Sequence, residues 1–200
     1  GRRWISPPGA GLYLSMIYTF NKPVSQLGAL SLVAGLAAAE AVETCCDVKV
    51  GLKWPNDLQI GGRKLAGCLI DIEGKPDAPS AIIGIGINVD FRRQSAPDQP
   101  WTDLASEVIA PPDRHWLAAL LIHRLSVELP DFDQFGFAAL RDRWMQRDVL
   151  FGRDITAFSD GQTPLKGRAA GLDAHGHLQL EQNGVVHALK TGLVTLKEPA

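Results

Sequence analysis

The sequence predicts an α/β protein: a mixed β-sheet with helices packed on it, followed by a small β-barrel. Three observations carry this expectation. Apolar runs of strand length recur at residues 12–20, 48–52, 65–72 and 81–89. Leu- and Ala-bearing stretches with helical spacing lie at 25–44, 111–129 and 131–147. From residue 149 onward the texture changes to short β-rich runs separated by turns. The expected division is therefore a first domain over 1–148 and a second over 149–200.

The elements follow in order. Residues 12–20 are rich in β-formers and alternate loosely, after a Pro7-Pro8-Gly9 turn. Residues 25–44 contain no proline, and Leu27, Leu30, Ala34, Ala37 and Ala41 share one helical face, with Leu32 and Leu36 extending it. Such a helix belongs under a sheet. The strand at 48–52 runs into Trp54-Pro55-Asn56-Asp57, which turns, because Pro55 lacks a donor and Asn-Asp favours reversal. Gly61-Gly62 signals a hairpin into the strand at 65–72. Residues 74–79 read as a polar loop.

The run 81–89 is nearly all apolar, as in a central strand. Gly84, Gly86 and Asn88 fall on one of its faces. Paired glycines weaken a strand unless something comes close, whether a flat ligand or a packed side chain. Residues 91–110 read as loop. Pro111-Pro112 opens a helix to 129 with a Leu117, Leu121, Leu125 stripe, and a second helix spans 131–147 with Arg141, Arg143 and Arg147 facing solvent. In the last fifty residues, Asn183-Gly184 is a strong hairpin turn.

Composition narrows the function classes. Hydrophobic residues make up 46% of 200, enough for a real core, and the formal net charge of -2 does not mark a general nucleic-acid or membrane binder. No apolar run reaches the roughly 20 residues needed to span a bilayer, and the start does not read as a signal peptide. Cys45, Cys46 and Cys68 cannot all pair within the chain, no Cys-x-x-Cys occurs, and the five histidines lack metal-site spacing. A reducing cytoplasm without a structural metal is expected. His175 and His177 read as solvent-facing and Cys68 as a small core residue.

The chemistry concentrates in Lys53-Trp54-Pro55-Asn56-Asp57-Leu58 and Gly62-Arg63-Lys64-Leu65-Ala66-Gly67. Lysine gives a compact positive charge for phosphate or carboxylate, and Asn56 and Asp57 can orient a polar ligand or a metal-bound phosphate. The same residues also suit a charged surface hairpin.

These two segments together resemble the central signature of biotin protein ligases. Gly1-Arg2-Arg3-Trp4-Ile5-Ser6-Pro7-Pro8-Gly9 resembles the end of the family's Gly/Arg-rich loop and the strand after it, and Gly84-Ile85-Gly86-Ile87-Asn88-Val89 resembles its Gly-x-Gly-x-Asn-Val strand. The segments stand in family order, and the likeness runs to about residue 197. The resemblance implies a class II synthetase-like (biotin/lipoate ligase-like) catalytic domain, N-terminally incomplete, and an SH3-like domain over 149–200. It implies that ATP activates biotin as biotinyl-5′-AMP, with Mg²⁺, for transfer to a lysine of a biotin carboxyl carrier protein. The implied catalytic residues are Lys64 and Arg2. Arg2, Trp4, Lys53, Asn56, Asp57, Lys64, Gly67, Gly84, Gly86 and Asn88 are implied to bind the substrates, with Asp57 on the Mg²⁺-phosphate side. The family's main biotin-loop arginine would precede Gly1. A homodimer stays open, and no DNA-binding segment is present in this chain.

Three further readings remain at this point. A lipoate or octanoate ligase or transferase shares the fold and a pocket lysine, but Lys53-Trp54-Pro55-Asn56-Asp57 favours biotin. A dinucleotide-binding enzyme would need a third glycine opening a helix after Gly84-x-Gly86. A nucleotide-binding domain without turnover is the non-enzyme reading. No Gly-x-x-x-x-Gly-Lys-Ser/Thr loop is present.

Overall fold

Five strands form the first sheet: β1 (Gly11–Thr19), β2 (Gly51–Lys53), β3 (Asp57–Ile60), β4 (Arg63–Lys75) and β5 (Ala78–Asn88), in the order β1-β5-β4-β3-β2. The computed structural model describes residues 8–91, 100–110, 112–158 and 163–196. Every ladder in this sheet is antiparallel, so the expectation of a mixed sheet is corrected. Tight turns explain the difference. Residues 54–56 and Gly61-Gly62 reverse the chain, and the anticipated 74–79 loop is a hairpin in which Gly74 (φ 93°) lets β4 and β5 run on to Lys75 and Ala78.

Helix α1 (Leu30–Cys46) lies under the sheet. It is buried almost all round, as its Ala/Leu composition demands, and Leu30, Val33, Leu36 and Val42 are each at most 1% exposed. Burying a side chain of this size contributes about 1.5–3 kcal/mol. The helix begins later than expected, because residues 24–26 form a separate 3₁₀ turn before Gly28, a poor helix former. Ala81, Ile83, Ile85 and Ile87 of β5 are fully buried on the helix side.

After β5 come a short helix α2 (Leu104–Glu107), the long α3 (Arg114–Phe135) packed on α1, and α4 (Arg141–Met145). The two helices expected at 111–129 and 131–147 are differently divided. Helix α3 carries Pro130 inside it and ends at Gly136 (φ 74°), so the positive-φ glycine, not the proline, stops it. Leu117, Leu121 and Leu125 form the buried stripe as anticipated.

The arginines do not simply face water. Arg143 bridges Glu40 of α1 and Glu128 of α3 through four hydrogen bonds of 2.5–3.0 Å, and Arg147 pairs with Glu43 at 2.6 Å. These carboxylates hold the Arg143 guanidinium more firmly in its charged form.

The second sheet contains β6 (Asp154–Phe158), β7 (Leu165–Leu172), β8 (Leu178–Gln182), β9 (Val185–Leu189) and β10 (Leu193–Leu196), in the antiparallel order β10-β6-β7-β8-β9. Among the described residues this ladder is open. Asn183 (φ 52°) and Gly184 (φ 80°) make the expected hairpin turn. His175 is exposed as expected, but His177 is half-buried with Nδ1 2.9 Å from Asp173 Oδ2.

The chain enters this second sheet beside Asp148. Leu52 N donates to Arg147 O (2.7 Å) and Val149 N to Leu52 O (3.0 Å). Asp148 Oδ1 accepts from Leu150 N at 2.8 Å, while Oδ2 is buried without a hydrogen-bond partner among the described residues. Burial pushes this carboxyl from 3.8 up to about 6, against the backbone donors of Leu150 and Phe151. The folded state thus holds this proton more tightly than the unfolded chain, and the contribution of Asp148 to stability declines as pH rises from about 4 to about 6. Asp148→Asn is expected to gain on wild type by on the order of 2 kcal/mol between pH 4 and pH 7. Urea denaturation across that range checks this, and a pH-independent difference would contradict it.

Candidate active site on the open face of the first sheet

The face of the first sheet turned away from α1 carries the chemistry. Strand register aligns Lys53 with Asp57, Asp57 with Gly67, Gly67 with Gly86, and Gly86 with Tyr13. One row therefore crosses all five strands, charged at one end, bare of side chains in the middle and aromatic at the other. A second row beside it places Leu69, Gly84 and Ser15 in line, and Asn88 stands opposite Gly11.

Lys64 joins this face through a bulge. Leu58 pairs with Ala66 but Gln59 pairs with Lys64, so Leu65 is an extra residue on β4. In a regular strand, Lys64 and Gly67 would point to opposite faces. Here both Leu65 and Ala66 are buried on the helix side. The Lys64 side chain extends over Gly67 instead, its Cε and Nζ each 3.4 Å from where a Cβ would stand. The ammonium donates to Asp57 Oδ1, in an ion pair with both side chains 24% exposed. Glycine at 67 leaves that path clear.

Asn56 closes the turn. Its Nδ2 donates to Cys68 O at 2.8 Å and its carbonyl accepts from Cys68 N at 3.0 Å, fixing the turn to β4. The turn includes a cis Trp54–Pro55 bond, and Pro55 O accepts from Ser31 Oγ at 3.1 Å. Cys68 is core, as expected. Burial, with the nearby Asp57 charge adding and Lys64 opposing, pushes its thiol up to about 12, so it stays protonated.

Residues 100–102 dock along the start of β4: Lys64 N donates to Pro100 O (3.0 Å) and Thr102 N to Lys64 O (2.9 Å). Asn88 Nδ2 donates to Thr102 O at 2.9 Å. Asp103, fully buried, accepts from Ser106 N at 2.8 Å and Phe91 N at 2.5 Å, tying the end of β5 to α2. Arg63 pairs with Glu107 at 2.7 Å. Sequence reasoning missed this bracket around Lys64. The sequence signal for it was Asp103, an N-cap residue three before Ser106.

The structure thus brings Lys53, Asp57, Lys64, Gly67, Gly84, Gly86 and Asn88 to one face, with Asn56 as the clamp beside them. Arg2 and Trp4 lie outside the described residues. Among the described residues, no group of three or more His, Cys, Asp or Glu side chains could hold a metal ion, and no helix is long and apolar enough to cross a membrane.

Comparison with known proteins bears on the family and the fold. Residues 1–88 match the model of the Biotin/lipoate A/B protein ligase family. The bifunctional ligase/repressor BirA of Escherichia coli is 40% identical across 98% of this chain and 62% of its own length. The biotin--[acetyl-CoA-carboxylase] ligase of Mycobacterium tuberculosis is 30% identical across 96% of this chain and 71% of its own. The biotin protein ligase from Aquifex aeolicus in complex with biotin and ATP superposes with a TM-score of 0.82 at 26% identity, over 98% of this chain and 82% of that one. The chain spans about three fifths of the length of the Escherichia coli relative. A family model, two named relatives and a superposable fold agree with the signature segments, and the chain belongs to the biotin/lipoate A/B protein ligase family, among the biotin protein ligases.

Proposed function

We propose that the protein is an ATP-dependent biotin protein ligase, which activates biotin as biotinyl-5′-AMP and transfers it to a lysine of a biotin carboxyl carrier protein. The observation that carries this reading is the Lys64 ammonium lying over the glycine floor at Gly67, held by Asp57. In the first half-reaction the biotin carboxylate attacks the α-phosphorus of ATP and expels pyrophosphate. In the second a lysine amine of the acceptor attacks the mixed anhydride and releases AMP. Both steps build negative charge on oxygen, which fixed positive donors stabilise, and neither needs a nucleophilic side chain. The protonated Cys68 is consistent with that.

In this reading Lys64 bridges the biotin carboxylate and the α-phosphate. Gly67, Gly84 and Gly86 floor the pocket, Asn88 borders it, and Lys53, Asn56 and Asp57 line the phosphate side. Arg2 contacts the nucleotide phosphates and Trp4 covers the adenine. A Mg²⁺ held chiefly by substrate phosphates needs only one or two carboxylates, and Asp57 fits that need; the ion would neutralise phosphate charge. The free thiols of Cys45, Cys46 and Cys68 support a cytoplasmic setting.

We place the domain boundary between residues 148 and 149 and assign 149–200 an SH3-like fold, supported by five short antiparallel strands joined largely by tight turns. The test is to incubate the full-length protein with ATP, Mg²⁺, biotin and a biotin-acceptor domain and follow acceptor mass. A biotin-dependent gain of one biotinyl group is expected. Transfer of lipoate or octanoate in preference to biotin would replace this reading.

A further inference from the structure

We infer that Trp54 is a positioning residue through which the second sheet sets the geometry of the candidate active site. The inference rests on the ligase reading only for its kinetic consequence. Trp54 stands between Lys53 and the turn that presents Asn56 and Asp57, and it is 3% exposed. A buried indole N–H needs an acceptor. This one finds it 122 residues away: Nε1 donates to Gly176 O at 3.1 Å, in the turn between β7 and β8.

That turn is built to hold its carbonyl still. The Asp173 carboxylate accepts from His175 N (2.8 Å) and His177 N (2.9 Å), and its Oδ2 lies 2.9 Å from His177 Nδ1. Asp173 N donates to His177 O and Gly176 N to Asp173 O, at 3.0 and 3.1 Å. Gly176 has φ 81°, and a Cβ there would stand 2.7 Å from Leu32 Cδ1 and 2.8 Å from Ala29 Cβ. The turn is therefore pressed against the start of α1. The same start of α1 also reaches the active-site turn, through the hydrogen bond from Ser31 Oγ to Pro55 O. The first turn of α1, residues 54–57 and residues 173–177 thus close on one another, and the site end of that triangle carries Lys53 and Asp57, the latter holding Lys64.

Trp54→Phe keeps an aromatic ring in the core and removes the donor. Asp173→Ala loosens the acceptor turn from the far side, away from the core, and covers the case in which the tryptophan variant folds poorly. In the full-length protein, each variant is expected to lower kcat for biotin-dependent ATP–pyrophosphate exchange about 10- to 100-fold, with KM for ATP little changed, because small displacements of catalytic groups are costly. The double variant should lose no more than the worse single one, since both act through one contact. Amide hydrogen exchange over residues 53–57 should quicken about five- to ten-fold in both, with the middle of α1 unchanged. Unaltered exchange at 53–57, or fully additive losses in kcat, would overturn the inference. A wild-type protein without pyrophosphate exchange would sink the ligase reading instead, while amide exchange still decides the coupling.

Discussion

Lys64→Ala is expected to slow biotin-dependent ATP–pyrophosphate exchange by about 100- to 1000-fold, the loss typical of a donor that meets developing charge in a sheltered site. The reason lies in where the ammonium sits. It is three-quarters buried, anchored to Asp57, and directed over Gly67 into a row that offers no other side chain until Tyr13. Removing it takes away the Lys64 ion-pair partner of Asp57 and leaves that carboxylate facing the same space, which opposes an incoming carboxylate and triphosphate. The defect should fall on kcat more than on KM for ATP, because the charge that Lys64 meets is largest in the transition state. Lys64→Arg should recover little, since the longer planar guanidinium cannot occupy the path over Gly67 in the same way. Rates in Lys64→Ala equal to wild type would remove Lys64 from the chemistry.

Much of this site was legible because glycines, lysines and turn residues leave local marks. Trp54-Pro55-Asn56-Asp57 had to turn, Gly61-Gly62 had to reverse, and period two put Gly84, Gly86 and Asn88 together. What was not legible depends on contacts between distant segments. Period two alone sends Lys64 and Gly67 to opposite faces, and only the extra Leu65 brings them together. A bulge has no reliable composition signal. Likewise the antiparallel ladder follows from short connections whose geometry emerges once the strands pair. The reading of one helix to 129 and another from 131 breaks the chain at Pro130, but α3 carries that proline within its length, and Gly136 ends the helix. The arginines after residue 140 looked solvated because their partners, Glu40, Glu43 and Glu128, lie roughly 15 to 104 residues away along the chain.

Those arginines give the second large effect: Arg143→Ala is expected to destabilise the fold by about 3 kcal/mol. The guanidinium reaches two carboxylates at once, Glu40 on α1 and Glu128 on α3, with side-chain exposures of 10% and 1%. Arg143 itself is 37% exposed, so the pairs do not sit in a fully dry interior and the effect belongs at the lower end for a broken buried pair. The loss is not the value of the pairs. It comes chiefly from Glu128, whose buried carboxyl group would be left between helices without this partner, whereas Glu40 keeps Arg124 at 3.3 Å. Two consequences separate this account from a packing defect. Glu128→Gln in the Arg143→Ala background should restore more than half of the lost stability, giving a strong coupling in the double-mutant cycle. Arg143→Met, which restores stem volume but not charge, should stay nearly as unstable as Arg143→Ala. At roughly 2–4 °C per kcal/mol for a chain of this size, the single variant should melt about 6–12 °C below wild type. If Arg143→Met instead melts with wild type, the methylene stem and not the charge holds α1 against α3.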